Sequence, residues 1–185
     1  MFEKLRQLTG IPTNELPFEW QTEQVNYKKG AMITRQGEVE QFIYWIKEGS
    51  VKVSAFVDIK EFILDFWFAD DLFTSFASLI EQTPSQTQIT ALTDVIAERV
   101  SYTQLQQVYK QSHQGSEIGR KMAERMYVHK TRKEIELLTL TAEQRYEKLL
   151  EQSRRLILEI PVKDVASYLG ILPESLSRIR RKVIS

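Results

Sequence analysis

The sequence concentrates guanidinium, ammonium, hydroxyl and carboxylate groups in one stretch, PESLSRIRRK, which supplies Glu174, Ser175, Ser177, Arg178, Arg180, Arg181 and Lys182. Donors at this density suit a polyanion, and a planar guanidinium also matches the paired acceptors on a base edge. Such groups act together only if a rigid element presents them on one side. Leu176, Ile179 and Val183 stand at i, i+3 and i+7, an apolar stripe on a helix. Glu174, Ser175, Arg178, Arg181 and Lys182 then lie on the opposite face.

That helix needs a scaffold, and the preceding segment reads as one. Val165, Ala166 and Leu169 share a face of a first short helix. Gly170 follows, where a glycine takes the left-handed conformation that reverses the chain. Ile171 fills the corner, and Pro173 opens the second helix where its missing N–H costs nothing. Ala166 is small where the two helices must cross closely. The pattern over 162–182 is that of a helix-turn-helix, whose second helix enters the major groove of DNA. Leu172 departs from it, offering no side-chain oxygen as a cap. The simpler reading of the same stripes is a packing hairpin with a solvated basic face.

The 185 residues suit one large or two small domains. The absence of cysteine excludes disulfides, thiolate metal sites and cysteine-ligated iron–sulfur clusters. His113 and His129 are too few for a multi-histidine metal centre, and no cofactor is expected. No apolar run approaches the ~20 residues that span a bilayer, and MFEKLRQL lacks the apolar core of a secretory signal. No membrane partner and a cytoplasmic location are therefore expected. The net charge of zero hides a division: residues 1–119 carry 10 Lys and Arg against 16 Asp and Glu, and residues 120–185 carry 15 against 9. An acidic sensing or interaction module joined to a polyanion-binding one fits this split, as would solvated helices alone.

Residues 2–8 read as a short amphipathic helix, with a brief turn at Pro17 and Trp20. Short strands follow over 24–27, 31–34, 42–46, 51–57 and 62–68, with the glycines between them as turns. In the last of these Phe62, Leu64, Phe66 and Phe68 alternate as one face. Residues 73–80 suit one or two helical turns, and strands resume over 88–91 and 95–100. Strands at this spacing imply an antiparallel β-roll or jelly roll. Ser101 with Gln104, and Thr141 with Gln144, are capping boxes for helices over 102–111 and 142–152. Between them a long helix is expected over 117–140, with Gly115 and Ser116 as the break before it. The fold class is α+β, divided as a roll over 1–114, a connecting helix over 115–140 and a helix-turn-helix domain over 141–185. Ile118, Met122 and Met126 share one side of the long helix. They read as a dimer seam, because one helix-turn-helix reads half a site, or as packing on the chain's own roll.

Roll, long helix and terminal hairpin together resemble the Crp/Fnr family of bacterial transcriptional regulators. The resemblance rests on KKGAMITRQGE, on FIYWIKEGSVKV and on the Gly30, Gly37 and Gly49 spacing, which looks like the cyclic-nucleotide-binding roll. Further on it rests on RYEKLLEQ and DVASYLGILPESLSRIRR. The short form ending soon after SRIRRK looks like the subgroup common in Bacteroidetes-type bacteria, without the β-hairpin wing that often follows. The resemblance implies a dimeric, sequence-specific transcription regulator with double-stranded DNA as partner, and contact with RNA polymerase. In the family a Glu and an Arg of the second helix contact base edges, and those roles carry over to Glu174 and Arg178, with Ser175 and Ser177 as neighbours. The chemistry agrees: Arg donates twice to guanine O6 and N7, and Glu accepts from cytosine N4. Arg180, Arg181 and Lys182 suit phosphates. Arg154, Arg155 and Lys163 are backbone contacts at the hairpin entry, or solvated surface.

The family's phosphate cassette pairs Gly-Glu with a later Arg-Ser that neutralises the cyclic phosphate. Here no Arg occurs between Arg35 and Arg99, and the region reads DDLFTSFASLIEQTPSQTQ. A phosphate buried beside Asp70 and Asp71 would lack compensation, leaving only backbone amides near Thr74 as donors. No tight binding of cAMP or cGMP is expected, and the effector stays open. Two other readings compete. A cyclic-nucleotide-responsive interaction module that never touches DNA would need the missing Arg. An enzyme on a cupin-like roll would need histidines, and residues 23–100 contain none.

Overall fold

The computed structural model describes residue 10 and residues 21–184, and the side chains of all of these except 152–159 and 184. The helix expected over 2–8 and the turn at Pro17 and Trp20 lie outside them. The described residues form eight strands: β1 (Glu23–Tyr27), β2 (Met32–Thr34), β3 (Phe42–Glu48), β4 (Ser50–Val57), β5 (Lys60–Phe68), β6 (Leu72–Phe73), β7 (Gln88–Ala91) and β8 (Val95–Ser101). Six helices accompany them: α1 (Phe76–Glu81), α2 (Tyr102–Gln111), α3 (His113–Thr139), α4 (Ala142–Glu159), α5 (Val162–Tyr168) and α6 (Pro173–Ile184).

The strands make two four-stranded sheets, ordered β1-β8-β3-β6 and β2-β7-β4-β5. β8 pairs antiparallel with β1 through Val25 opposite Ala97 and with β3 through Ile43 opposite Val100. β2 meets β7 antiparallel, with a register shift between Met32 and Thr34. The roll's interior is apolar and aromatic: Tyr44, Ile46, Val51, Phe73, Ile89 and Val95 are buried together. Tyr44 and Phe73 stack at 4.8 Å between centroids. Two packed sheets of alternating strands are the expected antiparallel roll.

The chain packs as two compact units. The described residues up to Val53 together with Phe66–Tyr127 form one, and Ser54–Asp65 together with those from Val128 onward form the other. Among the described residues no helix is long and apolar enough to cross a membrane.

Three expectations need correction. The long helix α3 begins at His113, not 117, and Gly115 lies inside it. A Cβ at Gly115 would collide with the Val108 carbonyl oxygen and side chain, so this glycine serves close approach to α2 and does not break the helix. Ile118 and Met122 follow the second of their two readings, packing on the chain's own roll. Ile118 is 0% exposed, and both pack with Ile43, Leu79, Val100, Leu105 and Val108 in the first unit's second apolar cluster. Met126 is half-buried. The exposed apolar residues of α3 are instead Tyr127, Val128, Ile135, Leu137 and Leu138. Finally, β5 buries Ile63 and Asp65 and exposes Phe62 and Leu64, the reverse of the expected face in this half of the strand, while Phe66 is buried as expected. Asp65 finds its partners on α3, and that tertiary pairing overrides the aromatic alternation.

Candidate functional site

The α5–α6 pair is built as its sequence requires. Gly170 has φ +66, in the left-handed region. Its N–H donates to the Ser167 carbonyl at 3.0 Å, and the Ile171 N–H donates to the Ala166 carbonyl at 3.0 Å. These are the two bonds of a Schellman termination, which satisfies carbonyls that the end of α5 would leave bare. The Leu172 carbonyl then accepts from Ser175 at 3.0 Å and Leu176 at 3.1 Å, opening α6 with no side-chain cap. Val165, Ala166, Leu169 and Leu176 are all buried, while Ile179 and Val183 are half-buried. Burying one aliphatic side this way stabilises the pair by roughly 1.5–3 kcal/mol per large side chain.

Glu174, Ser177, Arg178, Arg181, Lys182 and Lys163 are exposed, and Ser175 is half-buried. Glu174, Arg178 and Arg181 stand at i, i+4 and i+7, so the structure brings them to one face of α6. Arg178 reaches the Ser175 hydroxyl at 3.5 Å, and the Arg181 Nε lies 3.5 Å from the Ser177 carbonyl. The Ser177 hydroxyl donates to the Pro173 carbonyl at 3.0 Å, inside its own helix. Lys182 pairs with Glu143 of α4 at 2.7 Å, and that hydrogen bond raises the ammonium above the ordinary lysine range. Arg180 is turned the other way. It is half-buried, with its guanidinium carbon 5.9 Å from the Tyr146 ring centroid, and serves packing against α4 in this arrangement. The side chains of Arg154 and Arg155 lie outside the described residues.

Arg145, the first residue of RYEKLLEQ, braces this unit. Its Nη1 donates to the carbonyls of Leu137 at 3.0 Å, in the last turn of α3, and of Leu140 at 2.9 Å, just past it. Its Nη2 donates to the Leu169 carbonyl at 2.7 Å, at the corner of the α5–α6 pair. One guanidinium thus neutralises the partial negative charge at two helix ends. No periodicity signals such a role, because all its partners are backbone.

The cassette region of the roll is closed on itself. The buried Glu40 accepts from the Thr34 hydroxyl and from the N–H groups of Gln41 and Phe42 at 2.9 and 3.0 Å. Ser78 donates to the Thr83 carbonyl at 2.6 Å and accepts from the Glu40 N–H at 2.9 Å. Ser75 lies 2.7 Å from the Ser85 hydroxyl and makes no capping bond to α1. The Thr74 hydroxyl donates to the Phe42 carbonyl at 2.8 Å. Arg99 is engaged by Glu23 at 2.8 Å and lies over the Phe42 ring. Burial, then the Glu40 charge, holds the Tyr44 phenol well above its ordinary value, so it stays neutral. These hydroxyls and amides are taken up by one another and by backbone groups of the roll.

Residues 24–112 match the family model of the cyclic nucleotide-binding domain. No curated protein sequence matches the chain. FixK2 from Bradyrhizobium japonicum is similar in structure at 20% identity and a TM-score of 0.75, over 89% of this chain and 85% of that one. A CooA mutant from Carboxydothermus hydrogenoformans is similar at 18% identity and a TM-score of 0.65, over 87% and 75%. The Thermus thermophilus catabolite activator protein is similar at 16% identity and a TM-score of 0.56, over 98% and 83%. Likeness at this identity is likeness of fold. Residues 24–112 therefore form a roll of the cyclic nucleotide-binding type, and the chain shares its fold with FixK2, the CooA mutant and the catabolite activator protein.

Proposed function

We propose that the chain is a cytoplasmic, sequence-specific DNA-binding transcription regulator that acts as a dimer and does not respond to cAMP or cGMP. The observation that carries the reading is the exposed face of α6, with Glu174, Ser177, Arg178 and Arg181 on a helix whose other side is buried. In this reading α5 and α6 form a helix-turn-helix. Arg178 and Glu174 take base edges, Ser175 and Ser177 sit beside them, and Arg181, Lys182 and Lys163 take phosphates. Lys182 must leave Glu143 to do so, which costs little for an exposed pair. Arg180 is left to packing against Tyr146. The seam between two copies moves to the face of α3 that carries Tyr127, Thr131 and Leu138 at i, i+4 and i+11, where Tyr127 is 74% and Leu138 78% exposed. The cassette hydroxyls engaged within the roll, in a stretch with no Arg between Arg35 and Arg99, support a roll that takes no cyclic phosphate.

Fluorescence anisotropy with duplexes enriched from a random pool tests the reading. Salt-dependent binding that prefers the enriched duplex over a scrambled one is expected. Equal, weak binding to every duplex would end it.

A further inference from the structure

Residues Ser54–Asp65, the tip of the β4–β5 ribbon, pack with the C-terminal helices, and polar groups take part in that contact. The Ser167 hydroxyl of α5 accepts from the Ile63 N–H at 3.1 Å and reaches the Glu61 carbonyl at 3.5 Å. One residue on, the Tyr168 ring faces the Lys133 ammonium, 4.3 Å from the centroid. Lys133 donates in turn to the Leu64 carbonyl and lies 2.8 Å from Asp65. His129 Nε2 stands 3.2 Å from the other carboxylate oxygen, with Lys130 at 4.0 Å. Asp65 is only 4% exposed, so its charge depends on these neighbours.

Three elements therefore meet around Asp65, and each brings a group that the other two lack: β5 the anion, α3 the cations that face it, and α5 the aromatic ring over Lys133 and the hydroxyl that holds the Ile63 N–H. α5 is in turn fixed to α6 by Val165, Ala166, Leu169 and Leu176. Whatever holds α5 thereby sets the direction in which α6 points. The bracket does not cover the reading face, because Glu174, Ser177, Arg178 and Arg181 stay exposed with the cluster formed.

We infer that Asp65 and Ser167 are positioning residues, and that the ribbon tip is a bracket setting the orientation of α6 for DNA. The inference rests on α6 being the reading helix only in its last step. Amide hydrogen exchange on the full chain tests the bracket without DNA, using Asp65→Asn and Ser167→Ala. Ser167→Ala keeps the test decisive if Asp65→Asn fails to fold. Ser167→Ala is expected to speed exchange at residue 63 and over 163–169 by about 5-fold, the worth of one ordinary hydrogen bond, and Asp65→Asn by at least as much. Amides of β3 and β8 should keep wild-type protection. Unchanged exchange over 163–169, or equal loss across the roll, would overturn the bracket. With DNA, both variants should lose affinity for enriched and scrambled duplexes by the same factor. Undiminished affinity despite a loosened α5 would overturn the positioning role. If the wild-type chain binds no duplex, the DNA reading falls while the exchange experiment still decides the bracket.

Discussion

Ile118→Ala separates a core residue from a seam residue. The substitution removes three carbon atoms from a site with no exposed surface. At about 0.8 kcal/mol per buried methylene the transfer loss is about 2.4 kcal/mol. The cavity left among Ile43, Leu79, Val108 and Met122 raises the expected cost to about 3–4 kcal/mol. With a urea dependence of about 2 kcal/mol per molar, the unfolding midpoint should fall by about 1.5–2 M. Trp45 packs against this same cluster, so its fluorescence reports the transition directly. Titrations at two protein concentrations, with sedimentation velocity alongside, distinguish lost packing from lost association. The expected result is a lower midpoint with unchanged oligomeric state. A wild-type midpoint together with dissociation would refute the assignment of Ile118 to the core.

Four further outcomes are expected. Leu138→Glu should show the opposite pattern to Ile118→Ala, a near-wild-type midpoint with weakened self-association by sedimentation. Gly170→Ala has open space around the new Cβ but φ +66, so only backbone strain opposes it, and it should destabilise the α5–α6 pair by about 1 kcal/mol in urea titrations followed by exchange over 163–171. Burial pushes the Asp65 carboxyl up, but the His129 hydrogen bond and the Lys133 charge outweigh it and hold it below the ordinary value. Folding thus favours the ionised form, and the stability it contributes is present above about pH 4 and lost as the pH falls through the lowered folded value. Acid titrations should show a shallower limb in Asp65→Asn. Calorimetry with cAMP or cGMP should give no binding heat, and a 1:1 isotherm would contradict the closed cassette.

Local chemistry showed in the sequence wherever neighbours along the chain decided it. The capping boxes at Ser101 with Gln104 and Thr141 with Gln144 both form, since each needs only residues three apart. The strand over Gln88–Ala91 and the corner at Gly170 follow from alternation and from a left-handed glycine. Long-range partners decided the rest. Apolar spacing marked Ile118 and Met122 as buried but could not say against which surface. The alternation of Phe62 and Leu64 pointed the wrong side of β5 inward, because the winning contacts come from Asp65 with His129 and Lys133, 64 and 68 residues away. Gly115 looked like a break, yet its missing Cβ lets α3 approach Val108. In the candidate site, the exposed cations of α6 were readable from helical spacing. The inward turn of Arg180 onto Tyr146 and the brace at Arg145 depend on α4 and on backbone carbonyls, which no spacing reveals.

The most direct measurement compares wild type, Arg178→Ala and Arg181→Ala on an enriched duplex and its scrambled counterpart across a salt series. Arg178→Ala should lose about 1–3 kcal/mol on the enriched duplex and much less on the scrambled one, narrowing the preference. Arg181→Ala should weaken both alike and reduce the salt slope by about one. Equal affinities for both duplexes in all three proteins would contradict the assignment of α6 as a helix that reads DNA.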